Sequence, residues 1–475
     1  MKLRQIGLLL LIVVGGTLSS ARPDQTAQLS NSNLAELSLD APDGVALTLN
    51  DCIQSAIRAA TLVIKSQNTY ELSGSALIES YMQFLPNFTA TATTSFFNGT
   101  QYFTTAVPTL VNGSGNTGGY ALNATLNIFN GLSDVSGLRA SRLRKEASNL
   151  SLQRAKQTIA LNVAQSFMTV ILDNKLVEIA QKNFQKSQAR EQLLVEQARV
   201  GAKSLADLFR QKAQTSADEA LYLSTENKRR TDQVTLLQQL RLDVTKKYHF
   251  VDLALRSENE VERFSNEDEL LRIGLENRTD LKAIYNVASA AGLDVTRARA
   301  TYLPRLDLQA GLASAGGYLY SQNVAGVNAV PASQSPVYSQ LGSQTEYSLG
   351  VVLTWQIFDR FVTHQAVAQA AYRESNATTD SEDMKNQVQA DVRLAYSNYK
   401  TARQLLRASK EGLVSSQKAY EVIGGRYEFG SANFIDLITS QTALLQAESA
   451  QAQALINFIL QGEAVEFAVG QIPIN

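Results

Sequence analysis

Residues Tyr347 to Phe358 read YSLGVVLTWQIF. Tyr347, Leu349, Val351, Leu353, Trp355 and Ile357 fall on one parity, and Ser348, Gly350, Thr354 and Gln356 on the other. A period of two marks a strand with one apolar and one polar face. Three more segments share it. Phe88, Ala90, Ala92 and Phe96 alternate with Asn87, Thr89, Thr91 and Thr93; Tyr120, Leu122, Leu126 and Ile128 alternate with Asn123, Thr125 and Asn127; Leu306, Leu308 and Leu312 alternate with Arg305, Asp307 and Gln309. The expected strands are about 86–97, 119–130, 304–314 and 346–358. Each is near the length of roughly ten residues that a tilted strand needs to cross a bilayer, and Phe96, Tyr120, Tyr347 and Trp355 lie near ends where aromatic girdles form. The stretches Asn98 to Gly119 and Ser314 to Glu346 are rich in turn residues and are expected to be long exposed loops.

Alternation alone also fits a soluble half-buried sheet. If the strands lie in lipid, four cannot close, because an open edge leaves backbone groups unpaired in hydrocarbon and the smallest usual barrel has about eight strands. Closure then requires several chains. Two copies give a narrow barrel filled by side chains, whereas three give twelve strands and room for a lumen.

Outward from the strands the pattern changes to that of long helices. Of eight prolines, none falls between Pro108 and Pro304 and none between Pro336 and Pro473. Leu132 to Arg199 is built from helix formers, and a helix of that length runs on the order of 100 Å. Phe361 to Ile423 is similar. There Val388, Ala395, Ala402, Ser409, Ser416 and Ile423 recur every seven residues, with Val392, Tyr399, Leu406, Leu413 and Tyr420 interleaved, which is a coiled-coil seam. The same register appears 229 positions earlier, from Ile159 through Val163, Val170 and Ala180 to Leu194, with Asp173 and Glu191 as polar breaks. The short sequences Gly201, Leu205, Asp207, Leu208 and Gly430, Phe434, Asp436, Leu437 share that offset, as do Ile128-Phe129-Asn130 and Ile357-Phe358-Asp359. The chain is a duplication. Shorter helices are expected over Leu49–Met82, Ser204–Lys247, Asp268–Tyr302 and Asn433–Val469, with Ser204 and Asn433 as N-caps and Gly201 and Gly430 ending the helices before each turn.

These patterns divide the chain into a first repeat over 47–247, a connector over 248–266 and a second repeat over 267–475. Residues 1–21 have a charged start, an apolar run and small residues up to Ala21, the form of a secretory signal peptide; 22–46 are polar and expected to form a flexible leader. The 43 Lys plus Arg balance 44 Asp plus Glu, so no electrostatic footprint for nucleic acid is present. One cysteine, Cys52, and two distant histidines, His249 and His364, offer no metal site, and no catalytic motif is found, so neither a cofactor nor an enzyme activity is expected.

The motifs ALTLNDCIQSAIRAA (Ala46 to Ala60), the strand-leading FLP and YLP, the strand-ending NIFNG and QIFDR, and RYEFGSANFIDLITSQTALLQAE (Arg426 to Glu448) with its copy ARVGAKSLADLFRQKAQ (Ala198 to Gln214) resemble those of the TolC family of outer-membrane efflux proteins. The resemblance covers essentially the whole chain after the signal. It implies a mainly α protein with a membrane β-barrel: a homotrimer whose chains each give four strands to a twelve-stranded outer-membrane barrel, continued by a periplasmic α-barrel of long coiled-coil helices. It implies docking to a periplasmic adaptor and an inner-membrane transporter of the RND, ABC or MFS class, with passive conduction in drug efflux or type I secretion. The other class of function open to the sequence is a secreted coiled-coil rod or adhesin without transport.

Carried over residue by residue, Asp436 matches a pore-facing aspartate at the periplasmic aperture, Asp207 its first-repeat counterpart and Tyr427 a tyrosine of the closing contacts. Where the family has a further acid and a basic lock, this chain has Thr439 and Ala432; Arg426 is the substitute cation. Gly201, Leu205, Gly430 and Phe434 are the expected adaptor-docking tips.

Overall fold

A computed structural model describes residues 45–104, 108–246, 248–251, 263–324, 327–329 and 335–472. The expected signal peptide, nearly all of the 22–46 leader and most of the connector lie outside the described residues. Two compact units divide the chain, 1–46 with 245–249 and 47–244 with 250–475. Described residues of the first supply most of a two-stranded pair, β1 (Val45–Leu47) with β4 (Tyr248–Phe250).

In the second unit, each repeat opens with two helices rather than one. A capping box at Thr48, whose Oγ1 accepts from the Asp51 amide at 3.3 Å while Asp51 Oδ2 accepts from the Thr48 amide at 3.0 Å, starts α1 (Leu49–Ala59). Ala60, extended at φ −65° and ψ 129°, separates it from α2 (Thr61–Met82). In the second repeat α5 (Glu267–Asn277) and α6 (Thr279–Arg299) are separated at Arg278, also extended. The unbroken helices expected over 49–82 and 268–302 are thus corrected. Neither break carries Gly or Pro. At Arg278 tertiary ion pairing overrides helix propensity: the buried guanidinium holds Asp280 at 2.7 Å and Asp391 at 2.6 Å.

The helices after each sheet are α3 (Ser133–Arg199) with α4 (Leu205–Leu240), and α8 (Val362–Glu428) with α9 (Phe434–Val469). Each pair folds back on itself as a hairpin. Val388, Val392, Tyr399, Ala402 and Leu406 are buried on α8, and Val163, Val170, Asp173, Ala180, Ser187 and Leu194 on α3, so both repeats use the seam their heptads marked. A buried cluster of Leu270, Leu281, Val388, Val392, Val465 and Val469 joins α5 and α6 to the second hairpin. Helix α4 ends at Leu240, where Arg241 adopts a left-handed conformation, and not at Lys247.

The strands are β2 (Asn87–Thr104), β3 (Pro108–Phe129), β5 (Arg305–Val324) and β7 (Thr345–Thr354), antiparallel in the order β2-β3-β5-β7; a short β6 (Val327–Ala329) also pairs with β5. Between the irregularities at Ser114/Gly115 and Asn127/Phe129 of β3, the register keeps the two parities apart across the sheet. Ala90 faces Leu122, Leu122 faces Leu312 and Leu312 faces Tyr347; on the other face Thr89 lies opposite Asn123 and Thr125 opposite Gln309. Residues 98–104 and 108–119, expected as a loop, continue the β2–β3 hairpin, because cross-strand pairing supplies the backbone bonds that the composition did not signal. Past Ser314, β5 has lost β7 as a neighbour, and α7 (Val337–Ser343) covers that edge: the Gly317 amide donates to Gln340 Oε1 at 3.0 Å, and Gln340 Nε2 donates to the Gly317 carbonyl at 2.8 Å. Residues 355–358 leave the sheet, with the Trp355 indole donating to the Tyr302 carbonyl at 3.2 Å. Among the described residues nothing pairs with the outer edge of β2 or of β7.

Candidate functional site

The two hairpin tips are built alike. Helix α8 ends in paired turn bonds, the Ser431 amide to the Arg426 carbonyl at 2.8 Å and the Gly430 amide to the Tyr427 carbonyl at 3.0 Å; α3 ends with Ala202 to Gln197 at 2.8 Å and Gly201 to Ala198 at 3.1 Å. This closure needs a left-handed residue, and Gly430 at φ +73° and Gly201 at φ +76° supply it. The next helix starts on a capping side chain, Asn433 Oδ1 accepting from the Asp436 amide at 2.8 Å and Ser204 Oγ from the Ala206 amide at 3.1 Å.

Asp436 is exposed in the first turn of α9, where the helix dipole favours a carboxylate. Asp207 takes the equivalent place on α4 and lies 3.6 Å from Arg210. Among the described residues no hydrogen bond or ion pair joins Asp436 to Asp207 within one chain. Arg426 donates to the carbonyl of Ser431 at 3.3 Å, so its guanidinium serves its own turn, and among the described residues it forms no ion pair with an acid. Tyr427 packs its ring 5.9 Å from that of Phe434 and 4.2 Å from the Lys203 ammonium, with its hydroxyl buried and unpartnered in the single chain.

Phe434 differs most from its expected place. It is only 4% exposed, set between Leu194 and Leu208 of the other hairpin, so its ring joins the two hairpins and is not offered to a partner. Leu205, its counterpart, is 64% exposed, and the most exposed apolar group at the tips is Phe429, at 90%. The sequence marked Phe434 as apolar beside a turn; a hydrophobic residue there reads equally as tip or as core until the second hairpin is placed.

A polar junction that the periodicity did not single out lies above the tips. Arg190 Nη2 donates to the Tyr420 hydroxyl at 2.9 Å, Arg190 Nη1 donates to Gln441 Oε1, and Gln441 Nε2 donates to Asn183 Oδ1 at 3.0 Å. Asn183 and Gln441 are buried, so the network ties α3 to α8 and α9 where water competes poorly. Within the first hairpin, buried Asp173 pairs with Lys228 at 2.7 Å, and Lys228 also holds Asp232 at 2.7 Å. Burial pushes the Asp173 carboxyl up, and its bond to Lys228 offsets only part of that.

On the sheet, Tyr120 and Tyr347 sit near one end of the apolar face, the Tyr120 hydroxyl donating to the Leu341 carbonyl of α7 at 3.3 Å. Trp355 lies at the other end, eight residues from Tyr347 or about 26 Å along an extended chain. Phe96 is displaced from this frame. It pairs with Asn116, four residues past the Ala92–Tyr120 level and hence roughly 13 Å farther out, and its ring lies 6.1 Å from that of Tyr320. Among the described residues no group of acids, histidines or cysteine could hold a metal ion, and no helix is long and apolar enough to cross a membrane.

Residues 270–471 match the family model described as outer membrane efflux protein. The chain is 23% identical over 364 residues to the outer membrane protein TolC of Escherichia coli, covering 74% of this chain and 70% of that one. It is 23% identical over 350 residues to the pyoverdine export outer membrane protein OpmQ of Pseudomonas putida, covering 70% and 67%. Among solved structures, its fold is similar to that of the outer membrane protein VceC of Vibrio cholerae, with a TM-score of 0.73 at 15% identity over 89% of this chain and 96% of that one. It is also similar to CusC, with a TM-score of 0.75 at 13% identity over 91% and 95%.

Proposed function

We propose that this chain, similar to the outer membrane efflux protein TolC, is seated in the outer membrane, reaches into the periplasm and closes with two further copies into one conduit. Four strands from each make a twelve-stranded barrel, and the hairpins of each make a periplasmic tunnel. The observation that carries the reading is the sheet itself: one apolar face kept in register across β2, β3, β5 and β7, with both edges open. An unpaired edge is untenable in hydrocarbon, so β7 of one copy pairs with β2 of the next. Tyr120, Tyr347 and Trp355 then anchor the band at its two interfaces.

The tips at Gly201 and Gly430, with exposed Phe429, meet a periplasmic adaptor, and through it an inner-membrane transporter of the RND, ABC or MFS class. The conduit is passive, so the choice between drug efflux and type I secretion is made by the transporter. Three copies of Asp436, with Asp207 nearby, ring the aperture and favour cations; Tyr427 contributes its hydroxyl to closing contacts between copies. Arg426, engaged in its own turn, is not the lock.

The test is the native mass of the protein extracted from membranes in mild detergent. A mass near three chains is expected. A water-soluble single chain would sink the barrel and leave a secreted coiled-coil rod.

A further inference from the structure

The two halves of the chain meet where α3 passes the end of α9. There Arg154 Nη1 donates to the Phe467 carbonyl at 3.0 Å, Arg154 Nε lies 3.3 Å from Asp280 Oδ2, and Gln157 Nε2 donates to the Gly470 carbonyl at 3.2 Å. The guanidinium also lies 3.6 Å from the centre of the Phe467 ring. A base on α3 thus faces an acid on α6.

The 229-residue repeat gives this joint a counterpart. Helix α3 advanced by one repeat is α8, and α9 moved back by one is α4, so the counterpart sets α8 of one copy against α4 of the next; this step rests on the conduit proposed above. Helices α4 and α9 have 36 residues each and end alike, the Arg241 amide bonding the Gln238 carbonyl at 3.1 Å and the Gly470 amide the Phe467 carbonyl at 3.1 Å. The helix breaks at Ala60 and Arg278 align α2 with α6 and put Leu62 in the place of Asp280.

At the counterpart joint the charges have changed sides. Arg154 becomes Asp383 and Gln157 becomes Asn386 on α8, while Phe467 becomes Gln238 and Gly470 becomes Arg241 at the end of α4. All four replacements are exposed in the single chain, and among the described residues neither Asp383 nor Arg241 forms an ion pair. Arg241 is also held in the left-handed region, at φ +53°, where the other repeat has Gly470 at φ +79°. A residue with a Cβ is disfavoured there, so its presence calls for a compensating contact. Within the chain it has one neutral bond, Nη2 donating to Thr61 Oγ1 at 2.7 Å, which leaves most of the guanidinium donors open. With Ala56, Ala60 and Thr61 it borders an open groove.

We infer that Asp383 of one copy pairs with Arg241 of the next, and that this exchanged pair sets the order of the hairpins around the ring. Asn386 donates to the Arg241 carbonyl as Gln157 does to that of Gly470. Joining the wrong faces is penalised. Helix α3 against α4 of another copy would put Arg154 beside Arg241, and α8 against α9 of another copy would put Asp383 beside Asp280. Like charges so placed disfavour both, which leaves first and second hairpins alternating, the head-to-tail arrangement that closes a ring.

Asp383→Arg and Arg241→Asp are each expected to lower the temperature at which the multimer gives way to single chains in detergent, and the two together to recover most of the loss. Arg241→Gly separates this role from folding: it relieves the left-handed backbone and yet should lower that temperature. Thr61→Val, which removes only the bond within the chain, should not. Asp383→Cys with Arg241→Cys, treated with a short bismaleimide in the assembled protein, should give a covalent multimer on a denaturing gel. The native Cys52 does not compete, being fully buried with its thiol pushed up to about 12, first by burial and then by Asp51. A double reversal no better than either single one, an Arg241→Gly multimer as stable as the native, equal losses from Thr61→Val and Arg241→Gly, or an assembled cysteine pair that never bridges would each overturn the inference. A single-chain native mass for the unaltered protein would instead remove the conduit reading on which it stands.

Discussion

Replacing Gly430 by Ala and by Trp separates the folding of the tip from its docking. Gly430 sits at φ +73°, and a Cβ built there meets nothing within 4 Å. Alanine therefore pays only for a left-handed backbone, about 1–2 kcal/mol. Tryptophan pays the same backbone cost, because its ring projects into open space and displaces no neighbour. Against the long seam of α8 and α9, a strain of that size loosens one turn by a factor of roughly 5–30 without unfolding the hairpin. Both variants should assemble like the native protein on a native gel. Efflux should then differ: Gly430→Ala retains most of the resistance conferred by the native chain, while Gly430→Trp loses it, since a large ring now stands where an adaptor must approach. Equal impairment by both substitutions would show that backbone strain alone matters, and unimpaired efflux by an assembled Gly430→Trp protein would refute docking at this tip.

Asp436→Asn is expected to weaken block by multivalent cations in planar bilayer recordings, and unchanged block would remove the aspartate from the aperture. On the apolar face of the sheet, Leu349→Arg should cost about 2–4 kcal/mol if the residue lies at mid-membrane, whereas Thr89→Arg on the other face should be tolerated; assembled yield in the outer membrane distinguishes the two. Burial pushes the Asp280 carboxyl up, but its bond to Arg278 and the charges of Arg154 and Arg278 outweigh this and hold it below the usual carboxylate range. A depressed folded-state value stabilises above the unfolded value of about 3.9 and is lost as pH falls through the folded one. The Tm in detergent should therefore drop on acidification below about pH 4, and less steeply in Arg278→Met, which removes the ion pairs that create the shift. An identical acid profile in that variant would refute the assignment.

The long helices and the strand parities were legible because they rest on periodicity, which a sequence displays directly. Ser204 and Asn433 cap their helices as read, since a cap is a local bond between a side chain and an amide a few residues on. What could not be read is what depends on distant partners. Ala60 and Arg278 break helices with no local breaker; at Arg278 the cause is Asp391, more than a hundred positions away. The outer part of the β2–β3 hairpin looked like loop because Asn and Gly carry little strand preference, yet pairing with a neighbouring strand satisfies their backbones. Phe434 could be placed at the tip but not turned inward until Leu194 and Leu208 came beside it. The Arg190 network joins side chains from three helices, and no spacing within any one of them announces it.

The two open edges of the sheet have a genetic consequence. β7 has ten residues, and an antiparallel strand directs alternate residues to each side, so about five amides and five carbonyls face outward with no partner in their own chain. In hydrocarbon each such group costs several kcal/mol, so a subunit with a faulty β2 or β7 endangers not only itself but the neighbour whose edge it should have covered. On the proposed threefold closure, cells expressing native and edge-damaged chains in equal amounts would hold only about one wholly native ring in eight by random assembly. Defects at these edges should therefore behave as dominant, whereas a chain too damaged to meet its partners at all should be recessive.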